Sequence, residues 1–411
     1  MLDIELIRNN PDAVKKALER RGASGDVVDV LLAHDAAWRE YTTQVQKLRH
    51  QQKALSAERD IEGAKAIKEQ IKEKEVGEQE TKEARDSLLI TLPNIPFDDV
   101  PDGKDESENV VLRKEGKTST FSFPVLDHLE LGEKLGIIDT TKAAEVSGAR
   151  FYYLKKEGAL LEWALLQFAV QLLTKEGFEP VIPPTMIRPE VYTRMGRLTP
   201  EQKDERFYIE KDDMYLIGSA EHTLGPLLMD TTVSEDVLPK RLVGFSSCFR
   251  REAGSYGKDT KGILRVHQFD KVEMYSFALP EESEKEHQFL LSMQEKLYTA
   301  LNIPYRVVEI CTGDMGPTDA RQYDIEAWIP SQETYREVCS CSNTTTYQTR
   351  GINAKVQRGG ESEYLHALNA TAIAMSRTII AIIENNQQKD GSVVVPKVLR
   401  KLVGKKKIDN G

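Results

Sequence analysis

Three stretches of this sequence carry residue types that could grip a nucleotide. The first runs Cys248-Phe-Arg-Arg-Glu252 and resumes at Arg265-Val-His-Gln-Phe269 and Asp270-Lys-Val-Glu273. Arg265, Phe269 and Glu273 step by four, so on a strand, with its period of two, all three share one face. Guanidinium forks match phosphate oxygens, and a phenyl ring matches the flat face of a purine. Surface ion pairs on a β-hairpin would use the same residues. The second stretch is Thr334-Tyr-Arg-Glu-Val-Cys-Ser-Cys-Ser-Asn343, sparse in apolar residues although its flanks are strand-like. Glu337 with Ser340 and Ser342 offers hard oxygen ligands suited to Mg2+ on a nucleotide; a capped turn is the alternative. The third is Arg377, the one basic residue in the apolar run 369–384. A buried guanidinium needs an anion, either from a ligand or from a core carboxylate.

Other chemistries are absent. Gly257-Lys258 is followed by Asp259 and lacks the upstream glycine of a P-loop. No G-x-G-x-x-G follows a strand and no His-Glu-x-x-His occurs. The four cysteines, Cys248, Cys311, Cys339 and Cys341, form no Cys-x-x-Cys pair, which excludes a zinc ribbon and argues for buried thiols in a reducing compartment. A net charge of −10 demotes bulk nucleic-acid binding and leaves room for a shaped RNA site. The longest apolar run, 160–174, is interrupted by Glu162 and Gln167, so no membrane helix is expected. The N-terminus shows no basic stretch followed by an apolar one, and the expected location is the cytoplasm.

The elements that must position these residues fall into two regions. With 411 residues, 40% apolar and 30% charged, the chain is globular and long enough for two or three domains. One helical element is expected over 3–21, with Pro11 near a start and Gly22 as a stop. Positions 27, 31, 34, 38, 41, 45, 48, 52 and 55 then step by four and three, a heptad seam with polar lapses at His34 and Gln52. A break at 59–63 precedes a second helical run to about Leu92, with Gly77 in its polar middle. The pattern predicts an antiparallel coiled-coil hairpin over about 27–92, each leg roughly 45 Å long. Its single seam leaves two wet faces, so it should project into solvent. Leu92-Pro-Asn-Ile-Pro-Phe-Asp-Asp-Val-Pro-Asp-Gly103 forbids a continuing helix and sets the expected domain boundary, 1–103 against 104–411. Beyond it, 159–176 is a helix apolar nearly all round, and 369–387 is expected to be a late helix. Strand-like runs outnumber helices between 207 and 343 without regular alternation. The expected class is α+β with an antiparallel sheet.

Together the three stretches resemble the signature motifs of class II aminoacyl-tRNA synthetases, and among these the seryl-tRNA synthetases. The helix 159–176 with the strand ending at Pro184 resembles motif 1, Phe249 through Phe269 motif 2, and the Arg377 segment motif 3. Seryl identity is carried by Ser147-Gly-Ala-Arg-Phe151, Gly218-Ser-Ala-Glu221, Cys311-Thr-Gly-Asp314, Tyr323-Asp-Ile-Glu326 and Asp390-Gly-Ser-Val-Val-Val-Pro396. The resemblance spans essentially the whole chain. It implies an antiparallel sheet flanked by helices, preceded by a tRNA-binding hairpin. It implies a homodimer in which the hairpin grips the long variable arm of serine tRNA while the acceptor end enters the active site. The reaction implied is activation of serine by ATP to seryl-adenylate, then transfer of the seryl group to the tRNA 3′ end, with selenocysteine tRNA an open second substrate. By the same resemblance, Arg250, Arg251, Glu252, Arg265, Phe269, Glu337, Val338, Cys339, Ser340 and Arg377 bind ATP. Arg250, Arg265 and Arg377 act catalytically, and Glu337 and Ser340 take Mg2+. Ser219, Ala220, Glu221, Arg250, Glu273 and Thr371 bind serine. The chain departs from the family where it has Ser219 before Ala-Glu, Cys339 before Ser340, and Ala370-Thr371-Ala372 after Asn369. The competing readings are a tRNA-binding paralogue that does not charge, and a ligase that loads an amino acid onto a carrier protein.

Overall fold

A computed structural model describes residues 1–252 and 261–410, so most of the expected loop 253–262 lies outside the described residues. The chain divides into two units, Met1–Ile95 and Pro96–Gly411.

In the first unit two long helices, Asp26–Ala57 and Ile61–Leu89, pack along each other. Between them Arg59 takes a positive φ and the Asp60 carboxylate accepts from Gly63 N at 2.9 Å, which caps the second helix. The buried track of the first leg is Val28, Leu31, Asp35 and Val45. It includes Asp35 where the spacing predicts His34. A hydrophobicity pattern cannot reveal Asp35, because its burial depends on partners far away in sequence. The carboxylate accepts from Arg8 Nη2 at 2.6 Å, Arg39 Nε at 3.0 Å and Arg85 Nη1 at 3.4 Å. Against the cost of burial, these guanidinium groups hold the Asp35 carboxyl below its usual range. Gly77 has a packing role: a Cβ there would lie 2.6 Å from the Tyr41 ring. Ahead of the hairpin the structure has two helices, Ile4–Asn9 and Pro11–Arg20, where the spacing predicts one. Asn10 leaves the helical region, and Pro11 has no N–H with which to continue.

The second unit is built on an eight-stranded sheet. Its strands are β1 (Val110–Glu115), β2 (Glu179–Val181), β3 (Lys240–Phe249), β4 (Gln268–Ala278), β5 (Tyr305–Glu309), β6 (Arg321–Ile329), β7 (Thr334–Asn343) and β8 (His366–Ala374). Their spatial order is β1-β5-β6-β7-β8-β4-β3-β2. All neighbours are antiparallel except β2 and β3, which are parallel. The helices Glu157–Lys175, Ser283–Leu301 and Met375–Asn385 contribute Leu161, Leu165, Leu297, Tyr298, Ile379 and Ile383 to the main apolar core with the sheet. Residues after Ile95 pack here too: Phe97 N donates to the Ala320 carbonyl at 3.0 Å, and Val100 clusters with Val308, Ile310 and Met315.

The expected late helix over 369–387 is corrected. Residues 366–374 are strand β8, and the helix occupies only Met375–Asn385. β8 is central, paired with β7 and β4, and buried on both faces. A short apolar run buried on both faces carries no alternation, so periodicity cannot separate it from a buried helix. All four cysteines are free and buried. Among the described residues no helix is long and apolar enough to cross a membrane.

Candidate active site

The cleft forms where β3 ends, β4 begins and β7 and β8 diverge. On β4, Phe269, Lys271 and Glu273 alternate onto one face, and all three line the cleft. Arg265 precedes that strand and so does not follow its parity, yet it lines the same cleft. Arg250 follows the end of β3, its N–H donating to the His267 carbonyl at 3.0 Å. Its guanidinium carbon sits 5.4 Å from the Phe269 ring centroid, a cation–π arrangement, and its Nε donates to the Gly218 carbonyl at 3.2 Å. Glu252 takes a positive φ of 51° and accepts from Arg265 Nη1 at 2.8 Å. Glu337 enters from β7 and Arg377 from the first turn of Met375–Asn385. Arg377 Nη1 lies 3.1 Å from Glu337 Oε1 and donates to the Glu337 carbonyl at 3.0 Å. That guanidinium holds the Glu337 carboxyl below the ordinary range. Arg250, Glu252, Arg265, Phe269, Glu337, Val338, Cys339, Ser340 and Arg377 therefore share one wall-to-wall cleft.

The cleft continues past Arg250, Glu252, Lys271 and Ser340 toward Ser219, Glu221, Glu273 and Asn369. Here the charges are buried and paired. Lys271 Nζ lies 2.6 Å from Glu273 Oε2, and the Thr371 hydroxyl donates to the same oxygen at 3.2 Å. Burial pushes the Glu273 carboxyl up, with Lys271 pulling it back. Glu221 accepts from Arg197 Nε at 2.6 Å, and its N–H donates to Ser219 Oγ at 3.2 Å. His222 Nδ1 accepts from Gly218 N at 3.2 Å, and burial among cations holds its imidazole neutral, a structural role.

Two expected site residues stand apart. Arg251 turns away to cover the Phe207 ring at 4.7 Å and donates to the Arg206 carbonyl at 2.9 Å. Ala220 is fully buried in the core beside Leu224 and Tyr275. Neither side chain lines the cleft. Cys339 contributes to the wall, but its Sγ turns into the core, donating to Tyr298 OH at 3.3 Å. Burial pushes that thiol up to about 12, so it stays protonated.

Sequence reasoning missed several residues. Lys271 was legible as the charged residue midway between Phe269 and Glu273 on one strand face. Arg197 and Arg206 carry no local motif; the fold alone brings them in. Among the described residues, Arg206 Nε and Asn369 Nδ2 are buried in the cleft wall without a hydrogen-bond partner, donors available to a ligand. Asp324, opposite Ser340 in the β6–β7 ladder, is pushed well above the ordinary carboxyl range by burial and by Glu337.

The arrangement offers guanidinium groups and an aromatic face for a nucleotide, beside a pocket of paired charges for a small zwitterion. No nucleophile–base pair is needed for such chemistry.

Comparison with known proteins bears on this geometry. Residues 1–96 match the family model of the seryl-tRNA synthetase N-terminal domain, and residues 206–386 that of the tRNA synthetase class II core domain (G, H, P, S and T). The chain is 45% identical to the serine--tRNA ligase of Acidothermus cellulolyticus, covering 98% of each protein. It is 44% identical to that of Mycolicibacterium smegmatis, covering 97% of each. Among solved structures, it superposes on seryl-tRNA synthetase from Pyrococcus horikoshii complexed with ATP at a TM-score of 0.92, with 42% identity and 99% of both chains covered. Cytoplasmic serine-tRNA ligase from Naegleria fowleri in complex with AMP gives 0.89, with 33% identity over 100% of this chain and 99% of that one.

Proposed function

The chain belongs to the seryl-tRNA synthetases and is a serine--tRNA ligase of class II; from that premise we propose how its residues divide the work. The observation that carries the proposal is the single cleft shared by Arg250, Phe269, Glu337 and Arg377 and continuous with Glu221 and Glu273. ATP lies bent in the first part. Phe269 stacks on the adenine, Arg377 covers its other face and Glu252 meets the adenine amino group. Arg265 holds the terminal phosphates, and Arg250 holds the α-phosphate together with the serine carboxylate.

Serine sits beside Glu221 and Glu273, with Ser219 and Thr371 close by. Its carboxylate oxygen attacks the α-phosphorus, the bond to the bridging oxygen breaks, and pyrophosphate leaves with that electron pair. Alignment and charge neutralisation supply the rate. In the second step the terminal ribose hydroxyl of the tRNA displaces AMP from the seryl carbonyl.

Glu337 and Ser340 fit a role in holding Mg2+. A carboxylate and a hydroxyl are the hard oxygen donors that ion takes, and it is commonly held by one or two protein oxygens together with substrate phosphates. The bound ion would neutralise phosphate charge. The unit Met1–Ile95 serves tRNA binding and Pro96–Gly411 catalysis. Near-balanced charge on the hairpin suits recognition of tRNA shape and backbone over bulk attraction. Trp163 and Ile182, 66% and 89% exposed, are large apolar side chains of the motif 1 region, each suited to burial against a second copy. The protein works in the cytoplasm, where its tRNA is.

The test is ATP–pyrophosphate exchange with serine, threonine and alanine, followed by charging of serine tRNA. Exchange should require serine, and alanine should be refused by about 10⁴-fold because the hydroxyl's partners would be left unpaired. Exchange without charging would point to a carrier-loading ligase, and no exchange to a binder.

A further inference from the structure

Strands β7 and β8 pair at Asn343↔Leu368, Ser342↔Asn369 and Cys341↔Ala370, and there the ladder stops. One step beyond lie Ser340 and Thr371, which both line the cleft. The strands part at this point, and a parted ladder leaves carbonyls in need of donors. A side chain from the helix Ser283–Leu301 fills the gap. Gln294 is fully buried, and its Nε2 donates to the Ser340 carbonyl at 2.8 Å and to the Thr371 carbonyl at 2.8 Å. Both partners can only accept, so the orientation of the amide is forced: its nitrogen must face them. Its Oε1 is buried with no hydrogen-bond partner among the described residues. That is a desolvation cost an apolar residue of the same length would avoid. The cost falls where the two amide protons serve the two walls of the cleft.

We propose that Gln294 is a positioning residue, a strut that sets the distance between Ser340, which borders both parts of the cleft, and Thr371, whose hydroxyl holds Glu273 of the serine part, and so couples the two halves of the site. The inference rests on the serine-activating reading given above. Thr371 acts through its hydroxyl on Glu273, and Ser340 borders both parts of the cleft. Arg250, Arg265, Phe269 and Arg377 stand outside the Ser340–Thr371 gap, so the nucleotide keeps most of its contacts when the strut is lost. The acceptors for serine then shift relative to the α-phosphate, and serine binding suffers first.

The experiment compares wild type with Gln294→Met, which keeps length and apolar volume and removes both donors. Exchange is measured over serine and ATP concentrations, beside thermal melting. The expected result is a serine KM raised at least about tenfold, an ATP KM within about threefold, and a melting temperature lowered by the two carbonyls left without donors but still leaving a folded enzyme at assay temperature. Unchanged KM values, with kcat scaled only by the folded fraction, would overturn the strut. Equal rises in both KM values would overturn it as well, because a general collapse treats both walls alike. Should Gln294→Met fail to fold, Gln294→Asn keeps both donors one methylene short and must show the same split; its failure to fold or to show the split overturns the proposal. A wild type without serine-dependent exchange would instead sink the functional reading.

Discussion

Replacing Lys271 by Met isolates the electrostatics of the serine pocket. The ammonium lies 2.6 Å from Glu273 Oε2, and the two side chains are 7% and 1% exposed, so solvent screens little. Two unit charges about 4 Å apart interact by roughly 4 kcal/mol at an effective dielectric near 20. Stripping one partner from a buried pair costs about 3–5 kcal/mol. Glu273 can escape part of that cost by taking up a proton, since burial already pushes its carboxyl up and Glu221 adds to the push. Lys271 and Thr371 are the groups that oppose it. The net loss expected at pH 7 is about 3 kcal/mol, roughly a 10²-fold fall in kcat/KM for serine exchange. The pH signature follows from the sign. A carboxyl raised above its unfolded value favours the protonated folded state, so the variant's stability deficit should be small near pH 5 and grow as pH rises through the raised value. Serine binding needs the carboxylate, so the variant's serine KM should instead improve over the same rise. Steady-state exchange and melting curves from pH 5 to 8.5 measure both. A fall of less than about fivefold, with no pH trend in either quantity, would refute the reasoning.

Arg250→Ala removes the guanidinium between Phe269 and the Gly218 carbonyl, and exchange should drop by several kcal/mol of barrier; retention of more than about a tenth of wild-type exchange would overturn its assignment to the α-phosphate. Deleting 39–86 should spare exchange and cripple charging of serine tRNA, and equal losses in the two assays would make the hairpin structural. Cys339→Ser replaces the thiol with a hydroxyl. Because the thiol faces Tyr298 and the Ala372 carbonyl, the ATP KM should stay within about twofold and any effect should show in melting; a large change in ATP KM would mean that the side chain reaches the nucleotide.

Local signals determined more of this protein than its size suggests. The heptad spacing marked the hairpin. The period of two placed Phe269 and Glu273 on one face, Arg265, Glu337 and Arg377 stood out by type and spacing, and the resemblance to a known family singled out Arg250 and Glu252. These features are legible because they are short-range: a helix or strand converts spacing directly into direction. Tertiary structure decided what depends on neighbours distant along the chain. It made 366–374 a strand, since a run buried on both faces has no period to read. It put Asp35 in the hairpin seam, where Arg8, Arg39 and Arg85 compensate a charge that patterning would leave outside. It brought Arg197 and Arg206 to the cleft and set Gln294 between two parted strands. Burial, partner and dielectric belong to a place in the fold, and only the folded chain defines that place.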